Sequence, residues 1–317
     1  MRYIGYPLVL CLLLLSAITR AQTYKNEFGF QSDNDSYLGQ GSDRYYTNGL
    51  FLNYRRAFDQ QQLPAGLEKK TYEITAGQKM YNPYSGYAPD PTIQDRPFAG
   101  YLYVEGALNW FYSNESSLQT NVQIGTTGKN SLGESGQKLL HRTFDFYSID
   151  GWQYQIKGQA TINASAMYSR LLARVADNAL EFSFEGYGNL GTTFDGAGAG
   201  ILIRTGSLNQ LFNSAYYHAV IGNNAKTKAL VKREFFFYAK PQLNVVAFDA
   251  TIQGSPFTKD NPVTFGQKPV VFAQQFGLDY SSQRFTIDVG AIYKTREVKS
   301  DAIADHWGSI SMFYRFN

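Results

Sequence analysis

The chain has 317 residues, 29 Lys plus Arg against 26 Asp plus Glu, a formal net charge of +3, and 16% aromatic side chains. So even a balance excludes a strongly basic footprint, and nucleic acid is not an expected partner. Charged residues make up 17%, below the roughly 25% of soluble domains, while Leu, Ile, Val and Phe remain plentiful enough to exclude disorder.

Residues 1–21 open with Arg2, continue through an apolar run from Leu8 to Ala17 broken only by Ser16, and end in Thr19-Arg20-Ala21. The run is shorter than the roughly 20 residues that span a bilayer, so it predicts a secretory signal peptide, with an uncleaved anchor as the alternative. The single cysteine, Cys11, lies inside that run. An exported chain without disulfides needs another source of stability, and hydrogen-bonded closure of a β-barrel supplies one.

Beyond residue 21 no stretch approaches 18 consecutive apolar residues, so helical membrane spans are not expected. Segments with period-two alternation recur instead. Leu102, Val104, Leu108, Trp110 and Tyr112 oppose Tyr103, Glu105 and Asn109. Leu180, Phe182, Phe184 and Leu190 oppose Glu181, Ser183, Glu185 and Asn189. Phe272, Phe276, Leu278 and Tyr280 oppose Gln275 and Asp279, and Phe285, Ile287, Val289 and Tyr293 oppose Thr286 and Asp288. Strands of roughly 10 residues with an aromatic-ended apolar face match a transmembrane barrel, apolar toward lipid and polar toward the lumen. The fold expected is all-β, a transmembrane antiparallel barrel of about twelve strands. They are placed near 24–31, 44–57, 71–80, 98–112, 116–127, 152–170, 179–192, 195–206, 231–250, 269–281, 283–295 and 306–316. A turn within 159–177 or an added strand at 213–220 would change the count. Loops fall at 58–69 and 82–97, and 132–150 reads as a short helix carrying His141. No repeat or shift in composition divides 22–317, which is expected to form one domain.

The densest acid–amide cluster, Asp33-Asn34-Asp35-Ser36, follows strand one, and Asp43-Arg44-Tyr45-Tyr46-Thr47-Asn48-Gly49 opens strand two. A short connection brings these ends together, and hard oxygen ligands there could bind Ca2+. The same residue types build ordinary turns, so composition leaves both readings open. The three histidines are His141, His218 and His306. No cysteine remains after residue 21 and no histidine pair has ligand spacing, which disfavours zinc. The residues two after each histidine are Thr143, Val220 and Gly308, so a His-x-Ser nucleophile pair has no seat. Water activated by a histidine and a metal is the better-supported hydrolytic chemistry.

Five stretches in order resemble the LpxR-type outer-membrane lipid A deacylases, a twelve-stranded barrel family. They are Ser32 to Asp35, Asp43 to Leu50, Asp95-Arg96-Pro97-Phe98-Ala99-Gly100-Tyr101-Leu102, Gln137 to Arg142 and Gly151-Trp152-Gln153-Tyr154-Gln155. The resemblance implies hydrolysis of an ester-linked acyl or acyloxyacyl chain at the 3′ position of lipid A, dependence on Ca2+, and short helical loop segments near the active site. It implies His141 as general base, with Thr47 and Asn34 beside it, and Asp33, Asp35 and Asp145 at the metal. Arg44, Lys79, Arg96 and Arg142 would meet the lipid phosphates, since guanidinium suits phosphate geometry, or serve as ordinary ion-pair partners. Two departures stand out. The family's Lys/Arg pair is missing from 82–94, leaving Lys79 as its stand-in. An acid six residues after the histidine is replaced by Tyr147, with Asp145 or Asp150 nearby. The expected product is a monomeric outer-membrane enzyme whose partners are lipopolysaccharide and outer-membrane lipids. A passive, porin-like barrel with Glu105, Glu181, Glu185 and Asp288 in its lumen is one alternative, and an outer-membrane phospholipase is another.

Overall fold

The computed structural model describes residues 24–39, 41, 43–258 and 260–317, so the expected signal peptide lies outside the described residues. Twelve antiparallel strands form one closed barrel. They are β1 (Asn26–Asn34), β2 (Tyr45–Ala57), β3 (Leu67–Asn82), β4 (Ala99–Tyr112), β5 (Ser116–Thr127), β6 (Ala160–Val175), β7 (Leu180–Gly191), β8 (Phe194–Ser207), β9 (Glu234–Asp249), β10 (Val270–Ser281), β11 (Phe285–Lys294) and β12 (Asp305–Phe316). Each pairs with its chain neighbour, and β1 closes on β12 from Asn26↔Phe316 to Asn34↔Gly308. Closure satisfies every strand edge, which a lipid surroundings demands.

The alternation sorts the side chains as the sequence predicts. Phe272, Leu278, Ile287 and Val289 are exposed on the outer surface, while Asp279 and Thr286 are buried inside. Tyr54, Tyr72, Trp110, Tyr314 and Phe316 gather at the end of the barrel that holds the termini, in the position of an interfacial girdle. The interior is stitched by ion pairs. Arg55 meets Glu27 at 2.8 Å and Glu73 at 2.6 Å, and Arg315 meets Glu27 at 2.9 Å. Glu181 lies between Arg204 and Arg174, and Lys240 meets Glu185 at 3.2 Å. Each of these buried charges thereby has a partner, without which it would be costly.

Three sequence expectations change. The strand expected at 152–170 begins only at Ala160, because Gly151 turns the chain at φ +119 and Trp152 is buried against Phe98 in a short 3-10 turn, Trp152–Tyr154. Residues 213–220 are not a strand, and no turn interrupts 160–175: β6 runs on to Val175, with a bulge between Leu171 and Ala173, and the chain turns only at Ala176. The connection 208–233 folds into the bore. Leu208, Leu211, Phe212 and Tyr217 pack with Phe111 of β4, Leu202 of β8 and Phe236 of β9. Lys69 of β3 donates to Asn213 Oδ1 at 3.1 Å and also to the Ala219 carbonyl, and His218 lies on Phe313 of β12. The connection thus touches strands on all sides of the barrel near the termini.

At that end the connections 113–115, 176–179 and 282–284 are short. At the other end 35–44, 83–98, 128–159, 250–269 and 295–304 are long and 192–193 is short. Apart from 58–66 and the 208–233 segment in the bore, the long connections lie at this end, the pattern of the outer, extracellular end of such barrels. The 128–159 connection carries the helix α1 (Gly133–Phe144).

Candidate active site

Helix α1 lies against the outside of the barrel wall. On β3, Lys79 and Tyr81 line an interior cavity of about 760 Å3, so Gln78, Met80 and Asn82 point outward by alternation. Gly136 of α1 sits over Met80 and Gln78, so closely that a Cβ would fall 2.6 Å from Met80 Cε, and Gln78 Nε2 donates to the Ser131 carbonyl at 2.7 Å. On β4, outward Gly100 meets Gly133, whose added Cβ would lie 3.2 Å from the Gly100 Cα. Small residues on both sides let helix and wall approach closely.

Helical spacing then does the positioning. Gly133, Gln137 and His141 recur every fourth residue, share one face, and are all buried against the wall. Trp152 Nε1 donates to Gln137 Oε1 at 2.7 Å. An indole N–H can only donate, which fixes the amide orientation and leaves Gln137 Nε2 as a donor. That nitrogen is buried with no hydrogen-bond partner, an arrangement that calls for an acceptor arriving from elsewhere. The helix ends at Asp145, which takes the left-handed conformation (φ +55) while its N–H bonds the His141 carbonyl. The chain then folds back, so that the Tyr147 carbonyl oxygen lies 2.7 Å from His141 Nδ1. A carbonyl can only accept, so Nδ1 carries the proton. Nε2 faces Asp43 Oδ2 at 2.9 Å, a contact that joins the two only in the imidazolium form, where Nε2 carries a proton as well.

The oxygen cluster comes from the β1–β2 connection. Asn34 Oδ1 caps the short 3-10 turn Asp35–Leu38 by accepting from Ser36 N at 2.8 Å, which places Asp35 at 0% exposure. A bulge between Tyr46 and Asn48 lets Tyr46 face the interior and re-aims Thr47, as bulges do. Thr47 Oγ1 lies 3.4 Å from Asp35 Oδ1 and 3.2 Å from Asp43 Oδ1. A hydroxyl has one proton, so it can satisfy only one of these two carboxylates. Burial pushes the Asp35 carboxyl up to about 7; the Arg44 amide opposes this, and the charges of Asp43 and Asp305 add to it. Asp43 is itself anchored: its carbonyl accepts from Asn82 Nδ2 at 3.0 Å, and Oδ2 accepts from the Tyr147 hydroxyl. The Tyr147 hydroxyl proton is held tightly, by burial first and then by the Asp43 carboxylate. Gly86 completes the pocket. A Cβ there would lie 2.8 Å from the Tyr147 hydroxyl and 3.2 Å from both Asp43 Oδ2 and Gln137 Nε2.

Asp35, Asp43, Thr47, Gln137, His141 and Tyr147 therefore converge between helix and wall. Two carboxylates sharing one hydroxyl, one of them fully buried, make an oxygen donor set whose charge suits a divalent cation such as Ca2+. Among the described residues no group of three or more His, Cys, Asp and Glu side chains is assembled as a metal centre; the donor set relies on the threonine oxygen.

Other expected site residues lie elsewhere. Asp33 points into the lumen, where it accepts from Gln31 Nε2 and the Tyr46 hydroxyl, both at 2.9 Å. Lys79 also faces the interior, over the Phe194 ring. Arg96 is buried there, bonded to Thr251 Oγ1 at 2.7 Å and stacked on Tyr81. Asp145 is exposed beyond the helix, and Asp150 bonds Gln153. Arg44 stays beside the cluster through its backbone, and Arg142 is exposed on α1. His218 belongs to the bore segment, and His306 stacks on Tyr293.

Gln137 carried no assigned role in the sequence, and Asp43 entered only as one of the oxygen groups opening strand two. Gln137 lies one helical turn before His141, a spacing that puts both on one face and could have flagged it. Asp43 lies four residues before Thr47, but only the folded loop shows that it reaches the histidine.

No curated protein matches the chain. Among solved structures, LpxR from Salmonella typhimurium is similar over 92% of this chain and 100% of its own, with 19% identity and a TM-score of 0.73. At that identity the likeness shows the barrel fold. The β-domain of the Bordetella autotransporter BrkA (11% identity, 93% and 99% covered, TM-score 0.48) and the translocator domain of NalP from Neisseria meningitidis (8%, 98% and 94%, 0.40) resemble it more loosely. The family described as outer membrane protein LpxR matches residues 8–316, and the chain belongs to that family.

Proposed function

We propose that the protein is a lipid A 3′-O-deacylase of the outer membrane, which hydrolyses an ester-linked acyl or acyloxyacyl chain with a histidine-activated water. The observation that carries this reading is the site's location: His141 and the oxygen cluster stand on the lipid side of the wall, at the extracellular end. A lipid of the outer leaflet reaches that side directly, whereas a solute in the lumen does not.

The chain's own groups supply the steps. His141 Nδ1, bound to the Tyr147 carbonyl, keeps Nε2 as the nitrogen that takes a proton from water. The hydroxide so formed adds to the ester carbonyl carbon, and the carbonyl oxygen becomes negative. Gln137 Nε2, buried and unpartnered, donates to that oxygen. Collapse breaks the bond to the sugar oxygen, and His141 returns its proton to that leaving group. Ca2+, held by Asp35, Asp43 and Thr47, would supply positive charge beside the oxyanion. Asn34 positions Asp35 through its cap, and Arg142, exposed on α1, with Arg44 beside the cluster, would meet the lipid phosphates. Lys79 and Arg96, inside the barrel, have no part in this.

Purified protein in detergent, offered lipid A with Ca2+ or with chelator, tests the reading by mass spectrometry. Loss of the 3′ chain only with Ca2+ is the expected result; an unchanged lipid A mass overturns it. Phospholipid vesicles run in parallel distinguish a phospholipase. The porin-like alternative is disfavoured by the bore segment 208–233, which packs across the lumen from β4 and β9 to β3 and β12.

A further inference from the structure

The oxygen that faces His141 Nε2 belongs to Asp43 (2.9 Å). It occupies the place from which a water must be activated, since a base acts on a proton at roughly 2.6–3.2 Å. The other oxygen of the same carboxylate points to Thr47 and, past it, to Asp35. One side chain thus has two claims on it, the Nε2–H of the imidazolium form of His141 on one side and the oxygen cluster on the other, so that Nε2 becomes a free base once the carboxylate leaves it and the proton is lost. Tyr147 holds it on the histidine side, its hydroxyl donating to the oxygen that His141 also meets. The backbone of Asp43 is fixed independently, by the Asn82 bond and a left-handed φ of +48, so the carboxylate can turn without moving the loop.

We infer that Asp43 is a positioning residue shared between His141 and the cation cluster: it covers Nε2 when the cluster is empty and releases it when a cation binds. The inference rests on the deacylase reading and deepens it, because it makes Ca2+ dependence partly a matter of freeing the base. Binding at one place and engagement at the other compete for one carboxylate, so each must weaken the other to the same degree.

That reciprocity gives a test that does not depend on turnover. Ca2+ affinity is measured by calorimetry on full-length protein in detergent, for wild type, Asp43→Asn and His141→Ala. Loss of a carboxylate ligand lowers the affinity of Asp43→Asn. Removing the histidine sets Asp43 free, so His141→Ala binds Ca2+ more tightly, by at least about fivefold, the low end of ordinary coupling between sites. A residue that merely supports the fold would not produce that rise. Labelling with diethyl pyrocarbonate, read on the His141 peptide by mass spectrometry, gives the other half. Ca2+ should increase labelling of His141 in wild type, and Tyr147→Phe, which keeps ring and carbonyl but not the hydroxyl, should raise the labelling seen in chelator. Equal or weaker Ca2+ binding by His141→Ala, or labelling indifferent to Ca2+, overturns the inference. If wild type still binds Ca2+ and deacylates lipid A, the proposed function survives that failure; if it does neither, both fall.

Discussion

The glutamates inside the wall and the aspartate outside it are settled in different ways. Inside, Glu27 and Glu73 are bound to Arg55, Glu27 also to Arg315, and Glu181 to Arg204 and Arg174. Outside, Asp35 is equally buried, yet among the described residues no Lys or Arg side chain pairs with it; its partners are the Arg44 amide and the Thr47 hydroxyl. An acid paired with arginine is structural and has no remaining demand. One left with a hydroxyl and a second carboxylate still requires positive charge, and a site is where such a requirement persists. The contrast teaches that the arginine-paired acids of the lumen are finished, although Asp279 Oδ1 is left there without a partner, whereas the crevice behind α1 gathers two carboxylates around a single hydroxyl.

The largest expected effect tests whether the outer face holds the chemistry. His141→Ala should lower the rate of lipid A deacylation by roughly 10²–10⁴-fold, the usual contribution of general acid–base catalysis, with unfolding in urea unchanged. Full activity in this variant would remove the outer crevice from consideration.

Next in size is a break in the inner face. Glu27→Ala leaves Arg315 without its only carboxylate among the described residues, and uncovering a buried charge costs about 3–5 kcal/mol. Urea unfolding should register that loss, while activity per folded molecule stays at the wild-type value. A fall in activity at constant folded fraction would mean that lumen and crevice are coupled.

Gln137→Glu asks about one donor. The remaining oxygen still accepts from Trp152, but the buried N–H becomes an acceptor, so the rate should drop by about 10²-fold, as when an oxyanion donor is removed. A rate within a factor of a few of wild type would show that the orphaned amide faces nothing that reacts.

How much of this was legible depends on which physical signal carried it. Eleven of the twelve strands stand within four residues of where period-two alternation puts them, and β6 alone is displaced, because lipid outside and polar contacts inside enforce the alternation residue by residue. The segment 208–233 escaped because Leu211, Phe212, Tyr216 and Tyr217 have the composition of a strand; they are buried in a bore, and no periodicity announces that. Likewise Trp152 to Gln155 looks strand-like, until Gly151 and the buried indole turn it aside. In the site, His141 was readable from its helix. Asp33 was not, yet alternation contained the answer: Phe28 and Phe30 face lipid, so Gln31 and Asp33 face the lumen, and the next acid over the rim, Asp35, enters the crevice. Asp43 depends on a left-handed residue and an Asn82 bond, neither of which has a sequence pattern.

The smallest effect goes to the root of the contrast. Asp35 holds its proton more tightly in the fold, at about 7 against an ordinary 3.8, so the folded state binds more protons than the unfolded one between those values. Its contribution to stability is therefore intact below about pH 4 and is lost as the pH rises toward about 7, with a slope of at most roughly 1.4 kcal/mol per pH unit for one group. Thermal unfolding of chelator-treated protein across that interval should show the decline, and Asp35→Asn should remove this share of it. Ca2+ should flatten the same curve, since a cation that binds the folded site takes the place of the proton and stabilises the charged form. The paired acids of the lumen offer no such opening to calcium. If chelated wild type and Asp35→Asn follow the same pH course, Asp35 carries no uncompensated charge, and the outer crevice is as finished as the lumen.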